Sequence, residues 1–279
     1  LVFLWTGFPQ PFAAIMETLF VPFGLAGIGI VARGSAFAFR KFAPTLGTAR
    51  LFGALFAASS VLTPFLFGCI AGAIASGRVP LEGTADPWTS WTVRTSLIGG
   101  ALAVSTCAFL AATFLTAEAA NRGDRRLADA CRRHALAADS IAGPVALAGI
   151  VPLEADAPTL FDGLTGRGFP LVVASAAGGA LALLALWRRQ FVAARLAAVT
   201  AVAAVITGWG TAQYPWLLTD SVTLDDGAGS RATLWALVIV FGVAAAVVLP
   251  ALGYLFWLTQ RPGWVRGQSV RGDQRSPVG

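Results

Sequence analysis

ATLWALVIVFGVAAAVVLPALGYLFWL, residues 232–258, runs for 27 residues without a charged side chain. A helix crossing the hydrocarbon core of a bilayer needs about 20 predominantly apolar residues. This stretch is apolar on every side, so it has no polar face to offer to water. Lipid is the solvent it fits. The same texture recurs upstream, at 12–38, 49–76, 92–119, 132–153, 169–187 and 194–215. Leu1 to Phe8 is apolar but too short to cross, and reads as the end of a partial span closed by a turn at Pro9-Gln10-Pro11. The expected fold is all-α: a polytopic membrane helix bundle with seven complete spans and one partial span. It occupies residues 1–259, followed by a polar, disordered cytoplasmic tail over 260–279. Composition agrees, with 56% hydrophobic and 12% charged residues and a mean hydropathy of +0.72. A soluble domain carries about twice that charge.

The segments between spans set the expected orientation. Those at 39–50, 120–133 and 188–195, with the tail, hold fifteen of the twenty Lys and Arg residues. The alternate segments hold four, Arg78, Arg94, Arg167 and Arg231, together with eight of the fourteen acids, among them Glu82, Asp86, Glu154 and Asp220. This alternation is the positive-inside pattern. It places the carboxyl terminus in the cytoplasm of a bacterium and the chain in the inner membrane. The net charge of +6 is therefore topological, and no basic stripe interleaved with aromatics points to a nucleic acid.

Little in the spans carries chemistry. Cys69, Cys107 and Cys131 have neither CxxC nor zinc-like spacing. One histidine (His134) and one methionine (Met16) make no convincing pair of axial haem ligands. There is no P-loop, no GxGxxG opening a helix and no GxSxG. The candidate polar residues within the membrane are Glu17, Arg33, Arg40 and Asp139. An ionisable group there is a functional hypothesis, set against plainer readings. Arg33 can snorkel to the inner interface, and Asp139 can pair with an inner-side arginine or with a partner subunit. Glu17 and Arg33 are sixteen residues apart, about 24 Å on one continuous helix, too far to pair. Small-residue pairs, Gly68 with Gly72, Gly99-Gly100 and Gly178-Gly179, suit close helix packing.

Two segments go further. Gly29-Ile30-Val31-Ala32-Arg33-Gly34-Ser35-Ala36-Phe37-Ala38-Phe39-Arg40 contains an Arg-x-x-x-Phe-x-x-Arg helix end. Gly208-Trp209-Gly210-Thr211-Ala212-Gln213-Tyr214-Pro215 precedes an acidic loop and a last helix. Both resemble subunit II of the cytochrome bd-type quinol oxidases. The resemblance implies nine spans, of which the first and the start of the second would precede Leu1. It implies no cofactor bound by this chain, haem b and haem d in a partner subunit I, a possible structural quinone, and contact with lipid and quinone. Its implied role is to stabilise subunit I and to help a proton path within a quinol:oxygen oxidoreductase. Gln213 and Tyr214 join the candidate polar residues, against the plainer reading that they only satisfy the outer end of their helix. The rival functions are a multi-span transporter of small solutes or ions, and a membrane assembly or scaffold protein.

Overall fold

The computed structural model describes residues 2–40, 42, 45–82 and 85–259. The tail expected over 260–279 lies outside them. The helices in chain order are α1 (Val2–Gly7), α2 (Pro9–Thr18), α3 (Phe20–Arg40), α4 (Leu46–Ala75), α5 (Arg94–Asn121), α6 (Arg125–Ala148), α7 (Leu153–Asp156), α8 (Pro158–Thr165), α9 (Phe169–Trp187), α10 (Phe191–Gln213) and α11 (Arg231–Thr259). A two-stranded antiparallel hairpin, β1 (Trp216–Leu218) and β2 (Val222–Thr223), lies between α10 and α11. The all-α membrane bundle stands.

The chain divides into two units, one holding α1 and α11, the other everything from Pro9 to Gly227. In the first, the Gly229 amide donates to the Gly7 carbonyl at 2.7 Å. A Cβ on Gly7 would lie 3.3 Å from Leu237, so a small residue suits this contact.

Six helices among the described residues are long and apolar enough to cross a membrane: α3, α4, α5, α9, α10 and α11. Of the seven expected spans, 132–153 has no counterpart among these six. Residues 132–148 of that stretch are helical, in α6, which begins at Arg125 and ends at Ala148, and 149–152 form a turn. Arg125, Arg126, Asp129, Arg132 and Arg133 therefore lie on the helix and not in a preceding loop. Asp124 caps it, its carboxylate accepting from the Leu127 amide at 2.9 Å. A side-chain cap here starts the helix early, among charged residues.

The expected span 12–38 is also corrected, because the chain breaks at Leu19 into α2 and α3. Pro22 has no amide hydrogen to give the Thr18 carbonyl, while the flanking bonds from Leu19 to Ile15 and from Phe23 to Leu19 survive. The break is therefore a local kink. Glu17 and Arg33 consequently sit on consecutive helices, not on one. At the amino-terminal end, Pro9-Gln10-Pro11 is not a turn: these residues open α2, and the interruption is at Phe8. Proline suits the first helical turn, whose amide groups have no intrahelical acceptor.

The helices of the larger unit pack α3 on α4, α4 on α5, α5 on α6, α6 on α9 and α9 on α10, with α10 returning to α5. The small-residue pairs make the closest crossings. A Cβ on Gly72 would lie 2.6 Å from the Cα of Ser96, and one on Gly178 would lie 3.0 Å from the Cα of Ala201. Phe109 of α5, Ala135 of α6, Ala182 and Leu186 of α9, and Ala194 and Ala198 of α10 form one buried cluster. Alanine and glycine let four backbones converge where larger side chains would hold them apart.

Candidate functional site

Polar groups gather at the two ends of this cluster, with one acid between them. At the outer end, as the charge pattern orients the chain, α10 stops at Gln213 because Tyr214 precedes Pro215 and takes an extended conformation (φ −59°, ψ 137°). Gln213 is buried, and its Nε2 donates to Thr219 Oγ1 at 2.7 Å. That bond ties the helix end to the hairpin, which the Leu224 amide closes on the Pro215 carbonyl at 2.9 Å. Arg167, from the segment after α8, donates to the Tyr214 carbonyl, and its guanidinium carbon lies 5.8 Å from the centre of the Tyr214 ring. A cation over an aromatic face adds attraction to the hydrogen bond. Asp220, in the left-handed region at φ 59°, accepts from Thr159 Oγ1 at 3.0 Å. Beneath these bonds α8 meets α10 backbone to backbone: a Cβ on Gly163 would collide with the Ala212 carbonyl and come within 2.7 Å of its Cα.

The inner end uses charge. Arg132 of α6 reaches the last carbonyls of α9, its Nε donating to Leu186 at 2.6 Å and its Nη2 to Trp187 at 3.0 Å. Those carbonyls have no intrahelical donor, and they carry the negative end of the helix dipole. One turn earlier on α6, Asp129 pairs with Arg189 at 2.9 Å. Arg189 has φ 59° and turns the chain from α9 into α10. Two residues spaced i and i+3 on α6 thus hold the α9–α10 corner. Nearby, Arg195 lies over the Phe114 ring at 4.5 Å.

Asp139 lies between the two ends, buried, with no hydrogen-bond partner for Oδ2 among the described residues. Arg132, an inner-side arginine on the same helix, is bound to α9 instead. Glu17, Arg33 and Arg40 are exposed, and the Arg33 guanidinium lies 5.5 Å from the Phe56 ring centre. The structure therefore brings Gln213 and Tyr214 into one site and leaves Glu17, Arg33, Arg40 and Asp139 apart from it. Sequence reasoning missed Arg132, Asp129, Arg189, Arg167 and Thr219. No sequence signal marks a side chain's acceptor 54 residues away.

Outside the spans, Asp86 accepts from the Thr89 amide at 2.7 Å and the Trp88 amide at 2.9 Å. These bonds hold its carboxyl below the usual carboxylate range. His134 places Nδ1 2.8 Å from the Ala130 carbonyl of its own helix. One histidine and one methionine do not make an axial haem pair. No group of three or more His, Cys, Asp and Glu able to hold a metal occurs among the described residues.

Comparison with known proteins follows the same lines. The sequence model of the family described as cytochrome bd terminal oxidase subunit II matches residues 1–259. The chain is also similar to a chain of the solved bd oxidase from Geobacillus thermodenitrificans, with 24% identity and a TM-score of 0.72. That match covers 86% of this chain and 73% of the other, and at this identity it shows the shared fold. No curated protein matches the chain. The family match covers most of the sequence, and the chain belongs to the cytochrome bd terminal oxidase subunit II family.

Proposed function

We propose that, from this membership, the chain works as the haem-free subunit of a quinol:oxygen oxidoreductase in a bacterial inner membrane, with its carboxyl terminus in the cytoplasm. It packs against a haem-bearing subunit I and stabilises it, while the chemistry of quinol oxidation and oxygen reduction takes place in that partner. Haem b and haem d belong to the partner, and any quinone or lipid held by this chain is structural. The observation that carries this reading is the family match over residues 1–259. Two features of the chain support it. Its polar side chains at both ends of the α9–α10 pair are engaged in holding helices, and its composition supplies no axial ligand pair.

The transporter reading has one feature in its favour, the interruption between α2 and α3, since discontinuous helices often build transport sites. Here the bonds from Leu19 to Ile15 and from Phe23 to Leu19 persist across the interruption. The helix is bent there rather than unwound into a coordination shell.

A role in a proton path is the finer part of the proposal, with Glu17 as its candidate. Glu17→Gln in a complete complex is expected to preserve assembly and slow quinol-driven oxygen uptake. Unchanged turnover in that variant removes the path through Glu17 and leaves the stabilising role. The test of the whole reading is co-purification: the tagged chain is expected to bring down a second multi-span protein whose reduced-minus-oxidised spectrum shows haem. A stoichiometric haem band from this chain alone overturns the division of labour.

A further inference from the structure

Asp139 is 9% exposed on α6, and its Oδ2 has no partner among the described residues. The fold makes room for this carboxyl. Across from it α9 carries Gly178-Gly179, and a Cβ on Gly179 would lie 3.6 Å from Asp139 Oδ1. Among the described residues no cation lies within ion-pair distance of it. On its own helix, Arg132 is bound to the carbonyls of Leu186 and Trp187, Asp129 is paired with Arg189, and Arg133 and His134 are exposed nearer the inner end. Between Phe169 and Trp187, α9 has no ionisable residue. On α5, Cys107 is exposed, Arg94 opens the helix at its far end, and Glu118 pairs with Arg122 at the other. On α10, Arg195 lies over Phe114. A carboxylate buried without a counter-ion or full hydrogen bonding is costly, whereas the neutral acid is tolerated.

One residue further along both helices a groove opens. Ser140 and Ala180, the neighbours of Asp139 and Gly179, line it with Leu136, Leu183, Leu184 and Trp187, and its volume is about 460 Å³. Asp139 and Gly179 thus lie one residue from the lining on each of the two helices that flank the groove.

We propose that Asp139 is a proton-binding site, a carboxyl that holds a proton within the bundle and exchanges it by way of the groove between α6 and α9. This does not rest on the oxidase reading, because it follows from the surroundings of one side chain.

The test uses the intact complex in its own membranes and the apolar reagent dicyclohexylcarbodiimide, which reacts with protonated carboxyl groups. The carboxyl proton passes to a carbodiimide nitrogen while a carboxyl oxygen bonds to the central carbon. The acyl group then migrates from that oxygen to nitrogen, giving a stable N-acylurea; nothing leaves and nothing is oxidised. Peptide mass mapping is expected to find the adduct on Asp139, falling several-fold as the medium is taken from about pH 6 to about pH 9. Asp139→Asn is expected to assemble normally, since the amide matches the neutral acid in shape, and to lose that adduct. The proposal is overturned if Asp139 stays unlabelled while a carbodiimide-reactive membrane protein added to the same vesicles is labelled. Labelling of Asp139 that does not change with pH overturns it equally.

Discussion

The turn Arg188–Gln190, which leads into α10, is held from outside by two charged residues of α6, whereas the far end of α10 is held by Gln213, an uncharged side chain that is buried. At the inner end both Arg189 and Asp129 remain more than 40% exposed, so water and salt compete with their pairing. Arg132 is better placed, because it bonds the Leu186 and Trp187 carbonyls at the negative end of a helix dipole. At the outer end the hydrogen bond between Gln213 and Thr219 is out of water. Breaking it strands a polar group in a place that cannot rehydrate. Below it, Gly163 and Ala212 leave no space for a side chain. Charge near water is forgiving and adjustable; neutral hydrogen bonding in a dry contact is not.

The largest expected effect follows from the backbone-to-backbone contact of α8 with α10. Gly163→Val puts a branched side chain into the Ala212 backbone and is expected to cost about 3 kcal/mol, the upper part of the range for overpacking. The thermal midpoint of the purified complex measures it, and a near-normal midpoint would show that α8 can slide off α10 cheaply.

Next come the two polar devices, best measured together. Gln213→Leu is expected to cost about 1–3 kcal/mol, independent of salt, because it leaves the Thr219 hydroxyl buried and unpaired. Arg132→Ala is expected to cost about 1–2 kcal/mol, as two charge-assisted bonds to the α9 end are lost while its carbonyls gain some access to water. If the arginine variant proves the more damaging of the two, the contrast between the ends is wrong.

The smallest effect lies in the loop around Asp86. Its carboxyl is held below the usual range by the Thr89 and Trp88 amides, so the stabilisation is present above the ordinary aspartate range and is lost as pH falls through the lowered value. Hydrogen exchange at the Thr89 amide is expected to be slow at neutral pH and to show less protection on acidification, after correction for the intrinsic rate. In Asp86→Ala that protection should be absent throughout.

Hydropathy by itself determined that the chain is a membrane helix bundle and roughly where its long apolar helices run. These are properties of whole segments, set by transfer of side chains from water to lipid, and they survive errors of a few residues. The Gln213-Tyr214-Pro215 helix end was legible too, because proline dictates the conformation before it. Only the tertiary structure decided that 132–148 belongs to a helix beginning at Arg125 and that 12–38 is kinked at Leu19. It alone showed Arg132 bound to carbonyls 54 and 55 residues away and Gln213 bound to Thr219. A local sequence pattern says which residues share a face of a helix. It does not say which helix that face meets, at what height, or which donors the meeting leaves without acceptors. Those depend on where glycine and alanine let backbones approach, and in this bundle they decide which arginines hold the fold and which acid is left unpaired.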